Sequence, residues 1–397
     1  MSEATARDID LLATLRPEAR EAPESGIVEV MSYGMTRPGL IPLWAGEGDL
    51  PTPDFICDAA TRSLAAGETF YTWQRGLPEL RQALADYHAR LYRRDFDPER
   101  FFITGSGMHA IQIAMRMVAG TGDEVLVPMP AWPNAAAGVG LTGAVPVEVP
   151  MTFSDNGWQL DLERLEAACG PKTRAIFINS PSNPTGWTLD HDGLTAVLEI
   201  ARRKGLWLIA DEVYHRFHYD GGVAPSFHDV ATDEDRILYV NTFSKNWAMT
   251  GWRIGWIEAP PALGDTIENL IQYSTSGVAV FMQRAALAGL TRGNEFVDYQ
   301  VARARRGRDI VCDALAGTGR VRFARPEGAF YLFFSIDGQP DVAKLGLRLV
   351  DEANIGLAPG TAFGDAGKGF MRLCFARGED SLNEAAARLV DWLKRTA

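Results

Sequence analysis

The possible fold and function of the chain are limited most by the stretch Asn241-Thr-Phe-Ser-Lys245-Asn-Trp-Ala-Met-Thr-Gly-Trp-Arg253-Ile-Gly255. It follows an apolar run, Ile237-Leu-Tyr-Val240, that is typical of a buried strand. Hydroxyl groups and the planar fork of an arginine are good hydrogen-bond donors to a phosphate. A lysine amine held beside an anchored phosphate can form a Schiff base with an aldehyde cofactor. For an arbitrary lysine, a solvated position on a loop is the commoner explanation. Further motifs in the chain have to decide between the two.

Length and composition limit the class of protein. The 397 residues suggest about two domains, and the formal net charge of −12 argues against nucleic acid as a partner. The N-terminal residues 1–8 lack the basic and apolar regions of a secretory signal, and no apolar stretch approaches the length of a membrane helix. We therefore expect a cytoplasmic protein. Its scattered cysteines form no zinc spacing and are expected to be free thiols: Cys57, Cys169, Cys312 and Cys374.

The middle of the chain alternates short apolar runs with helical patterns. The predicted strands are Phe101–Ile103, Glu124–Val127, Ala144–Val149, Ala175–Ile178, Leu206–Ile209 and Ile237–Val240. The predicted helices are 54–66, Pro78–Tyr92, Met108–Val118 and Leu194–Arg203. Strands that are apolar at consecutive positions are covered on both faces, and their alternation with helices predicts a largely parallel α/β sheet.

The pattern changes after about residue 289. A long charged helix, Asn294–Ala316, precedes strands near Val321 and at 329–335, a helix near 341–352, a strand near 371–375 and a final helix from Ser381. This α+β pattern predicts a second, smaller domain over residues 289–397, after a large domain over residues 48–288. Residues 1–47 are predicted to be irregular or partly helical.

Three further motifs follow predicted strands. The first is a Gly-rich turn, Gly105-Ser-Gly107, which opens a helix whose positive end could bind a phosphate; alone it is weak, and it matches neither a Walker loop nor a dinucleotide fingerprint. The second, Asn179-Ser-Pro-Ser-Asn-Pro-Thr-Gly186, places two amides in a proline-rich turn. The third is Asp211-Glu-Val-Tyr214, at the carboxyl end of a strand, where α/β folds bind ligands. A metal site that uses Asp211, Glu212, His215 and His218 is an alternative for the third motif.

Together with Lys245, these motifs resemble the class I/II pyridoxal-phosphate aminotransferases, dimeric enzymes of fold type I, from about Leu43 to about Ala376. The resemblance implies a large α/β domain with a mostly parallel sheet and a smaller α+β domain with which residues 1–47 pack. It also implies pyridoxal 5′-phosphate as the cofactor and a homodimer with shared active sites.

The resemblance assigns a role to each matching residue. Lys245 carries the cofactor, Asp211 pairs with the pyridine nitrogen, and Trp132 stacks on the ring. Asn183 and Tyr214 donate to the phenolic oxygen. Arg372 and Gly46 hold the substrate α-carboxylate, together with Asn183. The cofactor phosphate is assigned to Ser106, Gly107, Met108, Thr242, Arg253 and, from the neighbouring subunit, Tyr71.

The chain departs from the family pattern at three positions. Two of them, Thr242 and Met108, are assigned residues, and the third, Gly48, lies two positions after Gly46. Gly48 replaces a common proline, and Thr242 replaces a serine but keeps the hydroxyl. Met108 stands where one branch of aspartate aminotransferases has a lysine that binds the distal carboxylate of the substrate. This difference favours a neutral or aromatic amino donor over aspartate.

The implied reaction is ping-pong transamination between an L-amino acid and a 2-oxo acid. The amine of Lys245 moves the proton from the substrate Cα, for which it must be neutral. We expect its attachment to the cofactor, and then the cationic neighbourhood of Arg253 and of the cofactor ring, to lower its pKa. The same residues could serve a β-lyase acting on cysteine derivatives or a decarboxylase. Two alternatives remain: a regulatory protein that senses the cofactor, and a catalytically silent homologue. A regulatory protein of this kind would carry a DNA-binding domain, and the residues before Leu43 are too few to form one.

Overall fold

A seven-stranded sheet forms the centre of the molecule. The computed structural model describes residues 11–396, and the strand order is β2-β10-β9-β8-β7-β3-β4. Strands β3, β4, β7, β8 and β9 run parallel, whereas β10 is antiparallel to both β2 and β9. The predicted parallel α/β sheet is confirmed, with β10 as an antiparallel strand that the sequence did not predict.

The elements are numbered in chain order. The strands are β1 (Ile41–Pro42), β2 (Phe101–Thr104), β3 (Glu124–Met129), β4 (Val145–Pro150), β5 (Thr152–Ser154), β6 (Gly157–Gln159), β7 (Thr173–Asn179), β8 (Trp207–Asp211), β9 (Ile237–Thr242), β10 (Gly255–Glu258), β11 (Val321–Phe323), β12 (Tyr331–Ile336), β13 (Ile355–Gly356), β14 (Ala358–Pro359) and β15 (Phe370–Cys374). The helices are α1 (Pro17–Arg20), α2 (Gly26–Gly34), α3 (Asp54–Ala65), α4 (Pro78–Tyr92), α5 (Gly107–Val118), α6 (Pro133–Gly140), α7 (Leu162–Ala167), α8 (His191–Lys204), α9 (Phe243–Asn246), α10 (Gly264–Gln272), α11 (Val280–Arg292), α12 (Asn294–Ala316), α13 (Val342–Ala353) and α14 (Glu379–Arg395).

Both faces of the large sheet are buried, as the continuous apolar strands require. Alternate residues of one strand enter different cores: Ala175 and Phe177 pack with helix α5, whereas Ile176 and Ile178 pack with helix α8. Strands covered by helices on both sides lose nearly all their exposure to water, so period-two alternation of polar residues is absent.

The carboxyl-terminal part of the chain builds a second, antiparallel sheet of order β11-β12-β15-β14. Helices α12, α13 and α14 pack around it in a core that includes Val311, Leu349 and Trp392. Strand β1 pairs in parallel with β13, through Ile41 and Ile355. The domain limits 1–47, 48–288 and 289–397 remain a prediction, but this pairing supports the packing of the N-terminal segment with the second sheet.

Most element bounds agree with the sequence predictions. Helices α4 and α12 begin and end at the predicted residues, and α3 and α5 differ by one residue. The hairpin β5–β6 and helices α6, α10 and α11 were not predicted. The expectation for residues 1–10 lies outside the described residues. Within residues 11–396, every helix is too short or too polar to cross a bilayer.

Candidate active site

A cavity of about 470 Å³ opens at the carboxyl edge of the large sheet. Three neighbouring strands end there in polar residues, β7 at Asn179, β8 at Asp211 and β9 at Thr242. Helix α5 starts beside them, just after β2. The edge at which parallel strands end is where open α/β sheets bind ligands, so the fold itself brings the separate motifs together.

The cavity collects eleven of the thirteen residues that the sequence singled out. They are Gly46, Gly107, Met108, Trp132, Asn183, Asp211, Tyr214, Thr242, Lys245, Arg253 and Arg372. The other two do not line it. Ser106 is a buried residue of the Gly-rich turn itself, and Tyr71 lies on the outer surface with 91% of its area exposed.

The Gly-rich turn, residues 105–107, lies against the ends of strands β9 and β10. A Cβ atom at Gly255 would lie 2.8 Å from the nitrogen of Gly107 and 2.6 Å from the oxygen of Asn241, so only glycine allows this approach. Ser106 has φ 154° and ψ 168°, a backbone region that is essentially limited to glycine. This strained residue caps helix α5, since its Oγ accepts a hydrogen bond from the nitrogen of His109.

Lys245 lies in the short helix α9 and reaches the cavity wall. Its Nζ donates to the oxygen of Gly46 at 2.7 Å. Removal from water lowers the pKa of this amine to about 8, and the neighbouring Arg372 adds to the lowering, while Glu47 and Asp211 oppose it. The direction agrees with the expectation. For the free amine, burial is the main cause and the contributing cation is Arg372, whereas the expected contributions of cofactor attachment, the cofactor ring and the exposed Arg253 remain a prediction.

Asp211 is a buried carboxylate with little compensation for its charge. Its Oδ1 accepts one long hydrogen bond, 3.4 Å from the nitrogen of Val213. Burial raises the pKa of this carboxyl to about 7, against the opposing influence of the Val213 hydrogen bond and of Lys245. A cation or a protonated ring nitrogen in the cavity would supply the interaction that the protein leaves out.

Arg372 is equally buried, at 2% exposure, and makes no salt bridge with any of residues 11–396. Its Nη1 donates to Oδ1 of Asn183 at 2.9 Å, its Nη2 donates to the oxygen of Trp44, and its Nε has no partner. Its guanidinium also lies over the ring of Tyr331, 4.7 Å from the ring centre. A buried arginine without a carboxylate partner favours an anionic ligand.

Tyr214 and Tyr331 join the two sheets at the cavity. Their hydroxyls lie 2.8 Å apart, and burial raises the pKa of both phenols well above the ordinary value. A Cβ atom at Gly46 would lie 2.8 Å from the hydroxyl of Tyr331, so a larger residue there would displace this pair. Both hydroxyls are therefore neutral donors near neutral pH.

The remaining predicted residues form the cavity rim. Arg253 is exposed, and its Nη1 donates to the oxygen of Thr250 at 2.7 Å. Thr242 Oγ1 lies 2.9 Å from Oγ of Ser244 and 3.0 Å from the oxygen of Ile254. Met108 accepts a weak hydrogen bond from Nδ2 of Asn134, 3.6 Å away, so its thioether contributes no charge to the cavity.

Several residues of the wall were missed by the sequence analysis, among them Trp44, Asn134, Asn179 and Tyr331. Asn179 holds two motifs together, since its Nδ2 donates to the oxygen of Asp211 and its Oδ1 accepts from the nitrogen of Asn183. Its place beside Asn183 in one motif was a usable signal. Tyr331 gave none, because it lies in an apolar strand and looks like an ordinary core residue.

Two side chains of the alternative metal site at the third motif, Glu212 and His215, are engaged in other contacts. The carboxylate of Glu212 accepts from Ser226 Oγ at 2.7 and 2.9 Å, and His215 Nε2 lies 2.8 Å from the hydroxyl of Tyr87. Within residues 11–396, the four side chains of this alternative do not bring three potential ligand atoms within 4.8 Å of one another.

A different group, His88, His228 and Glu258, does bring three potential metal ligands within 4.8 Å of one another. Arg94 donates to Nδ1 of His228 at 3.2 Å, so the proton of that ring is on Nε2, which faces Glu258. Glu258 also accepts from Nε of Arg100 at 3.0 Å. Glu258 and Arg100 therefore form a buried ion pair beside the two histidines, and the contact with Arg94 occupies Nδ1 of His228.

Comparison with known proteins gives a consistent result. Residues 38–390 match the family "Aminotransferase class I and II". The chain is 36% identical over 354 residues to an aspartate aminotransferase of Thermotoga maritima, which covers 89% of this chain and 91% of the relative. A crystal structure of aspartate aminotransferase from Thermotoga maritima superposes with a TM-score of 0.89 at 34% identity and covers 96% of this chain and 100% of that one. The structure of an aromatic aminotransferase from Pyrococcus horikoshii superposes with a TM-score of 0.86 at 33% identity, covering 92% and 99%.

Proposed function

The chain belongs to the class I and II aminotransferases, and on this basis we propose that it moves an amino group from an L-amino acid to a 2-oxo acid by a ping-pong mechanism, with pyridoxal 5′-phosphate as cofactor. One observation carries the proposal. The cavity combines a buried lysine of lowered pKa, a buried carboxylate and a buried arginine without a carboxylate partner. Each of these groups alone would be costly to bury, and together they fit one cofactor and one substrate.

The polar groups of the cavity fit pyridoxal phosphate. The cofactor supplies an aldehyde that takes up the amino group and a ring that withdraws electrons from Cα. Asp211 would hold the protonated ring nitrogen, and Asn183 and Tyr214 would donate to the phenolic oxygen. The phosphate would lie at the N-terminus of α5, where Gly107 and Met108 offer backbone N–H groups and Thr242, Arg253 and the turn residue Ser106 complete the surroundings. Trp132 supplies an aromatic face for the ring.

Lys245 is the proposed proton carrier. Its amine has a pKa of about 8, so a substantial fraction is neutral near neutral pH and can accept a proton from the substrate Cα. The oxygen of Gly46, 2.7 Å away, orients Nζ towards the cavity. The same amine can return the proton during the second half of the reaction, when a 2-oxo acid replaces the product.

Arg372 is the proposed site for the α-carboxylate of both substrates. Its Nη1 is fixed by Asn183, which leaves Nε free, and the aromatic ring of Tyr331 limits its movement. A planar guanidinium can bind a carboxylate through two parallel hydrogen bonds, which orients Cα relative to Lys245. Gly46 also lines the cavity, close to the ring of Tyr331 beneath this guanidinium, and its lack of a side chain keeps this part of the cavity open for the carboxylate.

We further propose that the amino donor is neutral or aromatic rather than aspartate. Lys245, Arg253 and Arg372 are the lysines and arginines that residues 11–396 contribute to the cavity wall, and each already has a role. Met108 replaces a possible cation at the turn, and Glu47 adds a carboxylate that would repel a second acid. The apolar part of the wall, formed by Ile27, Trp44, Ile111 and Trp132, suits an apolar side chain. Relatives named for aspartate and for aromatic amino acids occur at similar identity, so the proposal depends on the cavity.

The decisive experiment is a single-turnover reaction of the cofactor-loaded enzyme with a panel of amino acids, followed by the loss of its yellow absorption. We expect phenylalanine, tyrosine and neutral donors to react faster than aspartate, and an added 2-oxo acid to be converted into the matching amino acid. Lys245→Ala should bind the cofactor but lose turnover by at least about 10²–10⁴-fold. Steady-state transamination by that variant, or elimination products in place of a new amino acid, would contradict the proposal.

A further inference from the structure

His109 lies behind the Gly-rich turn and does not line the cavity, yet it ties the turn to a distant segment. Its Nδ1 accepts a hydrogen bond from the nitrogen of Gly105 at 3.0 Å, and its own nitrogen donates to Oγ of Ser106 at 2.9 Å. This reciprocal pair resembles a capping box, with histidine at the third helical position in place of glutamate or glutamine. The side chain therefore closes the N-terminus of α5 from the side opposite the cavity.

The direction of each hydrogen bond can be assigned from its partners. Because the backbone nitrogen of Gly105 can only donate, Nδ1 of His109 carries the lone pair and Nε2 carries the proton. Nε2 then donates to Oγ of Ser274 at 2.8 Å, and Ser274 donates to the oxygen of Leu270 at 2.6 Å. Burial lowers the pKa of His109, which maintains this neutral form. The result is a fully satisfied chain from the turn to the end of α10.

This chain acts on a backbone that is under strain. Ser106 has φ 154°, which costs about 1–3 kcal/mol and persists only where neighbouring contacts impose it. Three contacts do so: Thr104 Oγ1 donates to the oxygen of Ser106 at 2.9 Å, the nitrogen of Gly105 donates to Nδ1 of His109 at 3.0 Å, and the nitrogen of His109 donates to the side-chain Oγ of Ser106 at 2.9 Å. Without the imidazole, the nitrogen of Gly105 loses its acceptor and the turn can relax.

We propose that His109 is a positioning residue for the phosphate of the cofactor: through Gly105 and Ser274 it holds the turn in the conformation that points the N–H groups at the start of α5 into the cavity. The inference rests on the proposed function, since it requires a phosphate at this turn. The imidazole touches neither cofactor nor substrate. Its contribution should therefore depend on the phosphate group and should be absent for a ligand that lacks it.

The test measures the dissociation constants of pyridoxal phosphate and of pyridoxal for the cofactor-free protein. The dissociation constant of pyridoxal divided by that of pyridoxal phosphate measures the contribution of the phosphate to binding. We expect His109→Leu to reduce this ratio about five- to tenfold, the effect of one lost hydrogen bond in the turn. His109→Gln keeps an acceptor at the capping-box position and should restore most of the ratio. Ser274→Ala keeps the bond to Gly105 but frees the far end of the ring, so a smaller reduction is expected.

An unchanged ratio in His109→Leu, or in Ser274→Ala if the leucine variant does not fold, would overturn the proposal. Equal weakening of both ligands would also overturn it, because a general structural defect does not distinguish them. Failure of the wild-type protein to bind pyridoxal phosphate would instead contradict the proposed function, so the two results can be told apart.

Discussion

At the scale of single residues, Asp211 is the clearest conflict between folding and function. Its burial raises the pKa of the carboxyl to about 7, so the folded cofactor-free protein binds a proton at this site that the unfolded chain has released above pH 4. The contribution of proton binding at Asp211 to the free energy of unfolding is fully present below pH 3.8 and is lost as the pH rises towards 7. The same ionised carboxylate becomes favourable once a protonated ring nitrogen lies beside it.

The variant Asp211→Asn should therefore gain stability relative to the wild type as the pH rises from 5.5 to 8, by about 2 kcal/mol. Urea unfolding of both cofactor-free proteins at the two pH values measures this difference. With the cofactor bound, the order should reverse. A stability difference that stays constant between the two pH values would show that Asp211 does not titrate in this range.

At the scale of secondary-structure elements, the N-terminus of helix α5 combines a cap with a strained backbone. The variant Ser106→Gly relieves the backbone strain of about 1–3 kcal/mol. Against this gain, the loss of the helix cap lowers the free energy of unfolding by a few tenths of a kcal/mol, and the greater flexibility of glycine in the unfolded chain lowers it somewhat more. Ser106→Ala keeps the strain and loses the cap, at about 1 kcal/mol. The glycine variant should therefore be more stable than the alanine variant by about 1–2 kcal/mol in urea unfolding. Equal stabilities would mean that the backbone of Ser106 is not strained.

The elements that the sequence predicted well are those that carry local signals. Helix α4 starts at Pro78 in its first turn and keeps an apolar face that includes Leu80 and Leu84, so its bounds could be derived without tertiary contacts. Strand β10 was missed because nothing local distinguishes an antiparallel strand inserted between two parallel ones. Its place depends on Gly255, whose lack of a side chain matters only once α5 lies against it.

The candidate site shows the same division. The motifs around Lys245, Asn183 and Asp211 were recognisable because each combines a turn with unusual polar residues, and the large sheet brings them to one edge. Tyr331 could not be found, since its role depends on the contact of its hydroxyl with Tyr214, 117 positions away in the chain. The cause of the low pKa of Lys245 also had to come from three dimensions, because burial is not a property of the motif.

At the scale of the whole molecule, the membership of fold type I is confirmed by the superposed relatives, whereas the homodimer with shared sites remains a proposal. The surface supports it, because the most exposed aromatic side chains of residues 11–396 are Phe70, Tyr71, Trp73 and Tyr273, at 83%, 91%, 65% and 86% of their areas. The hydrogen bond of 2.8 Å between Gln74 and Gln272 brings the loop and the end of α10 together, so these residues belong to one face. Exposed apolar patches of this kind favour burial against a second copy.

If Tyr71 completes the site of the neighbouring subunit, two inactive variants should restore each other. Tyr71→Ala impairs both sites of its own dimer, and Lys245→Ala inactivates both sites of its dimer. After subunit exchange, a mixed dimer has one site with an intact Lys245 from the first variant and an intact Tyr71 from the second, and one doubly defective site. Equal mixing gives about half of the dimers in this mixed form, so activity should rise to about one quarter of the wild-type value per subunit. Each variant incubated alone serves as the control. Differently tagged subunits show whether exchange has taken place. If exchange is complete and the activity still equals the average of the two separate variants, Tyr71 lies outside the partner's site.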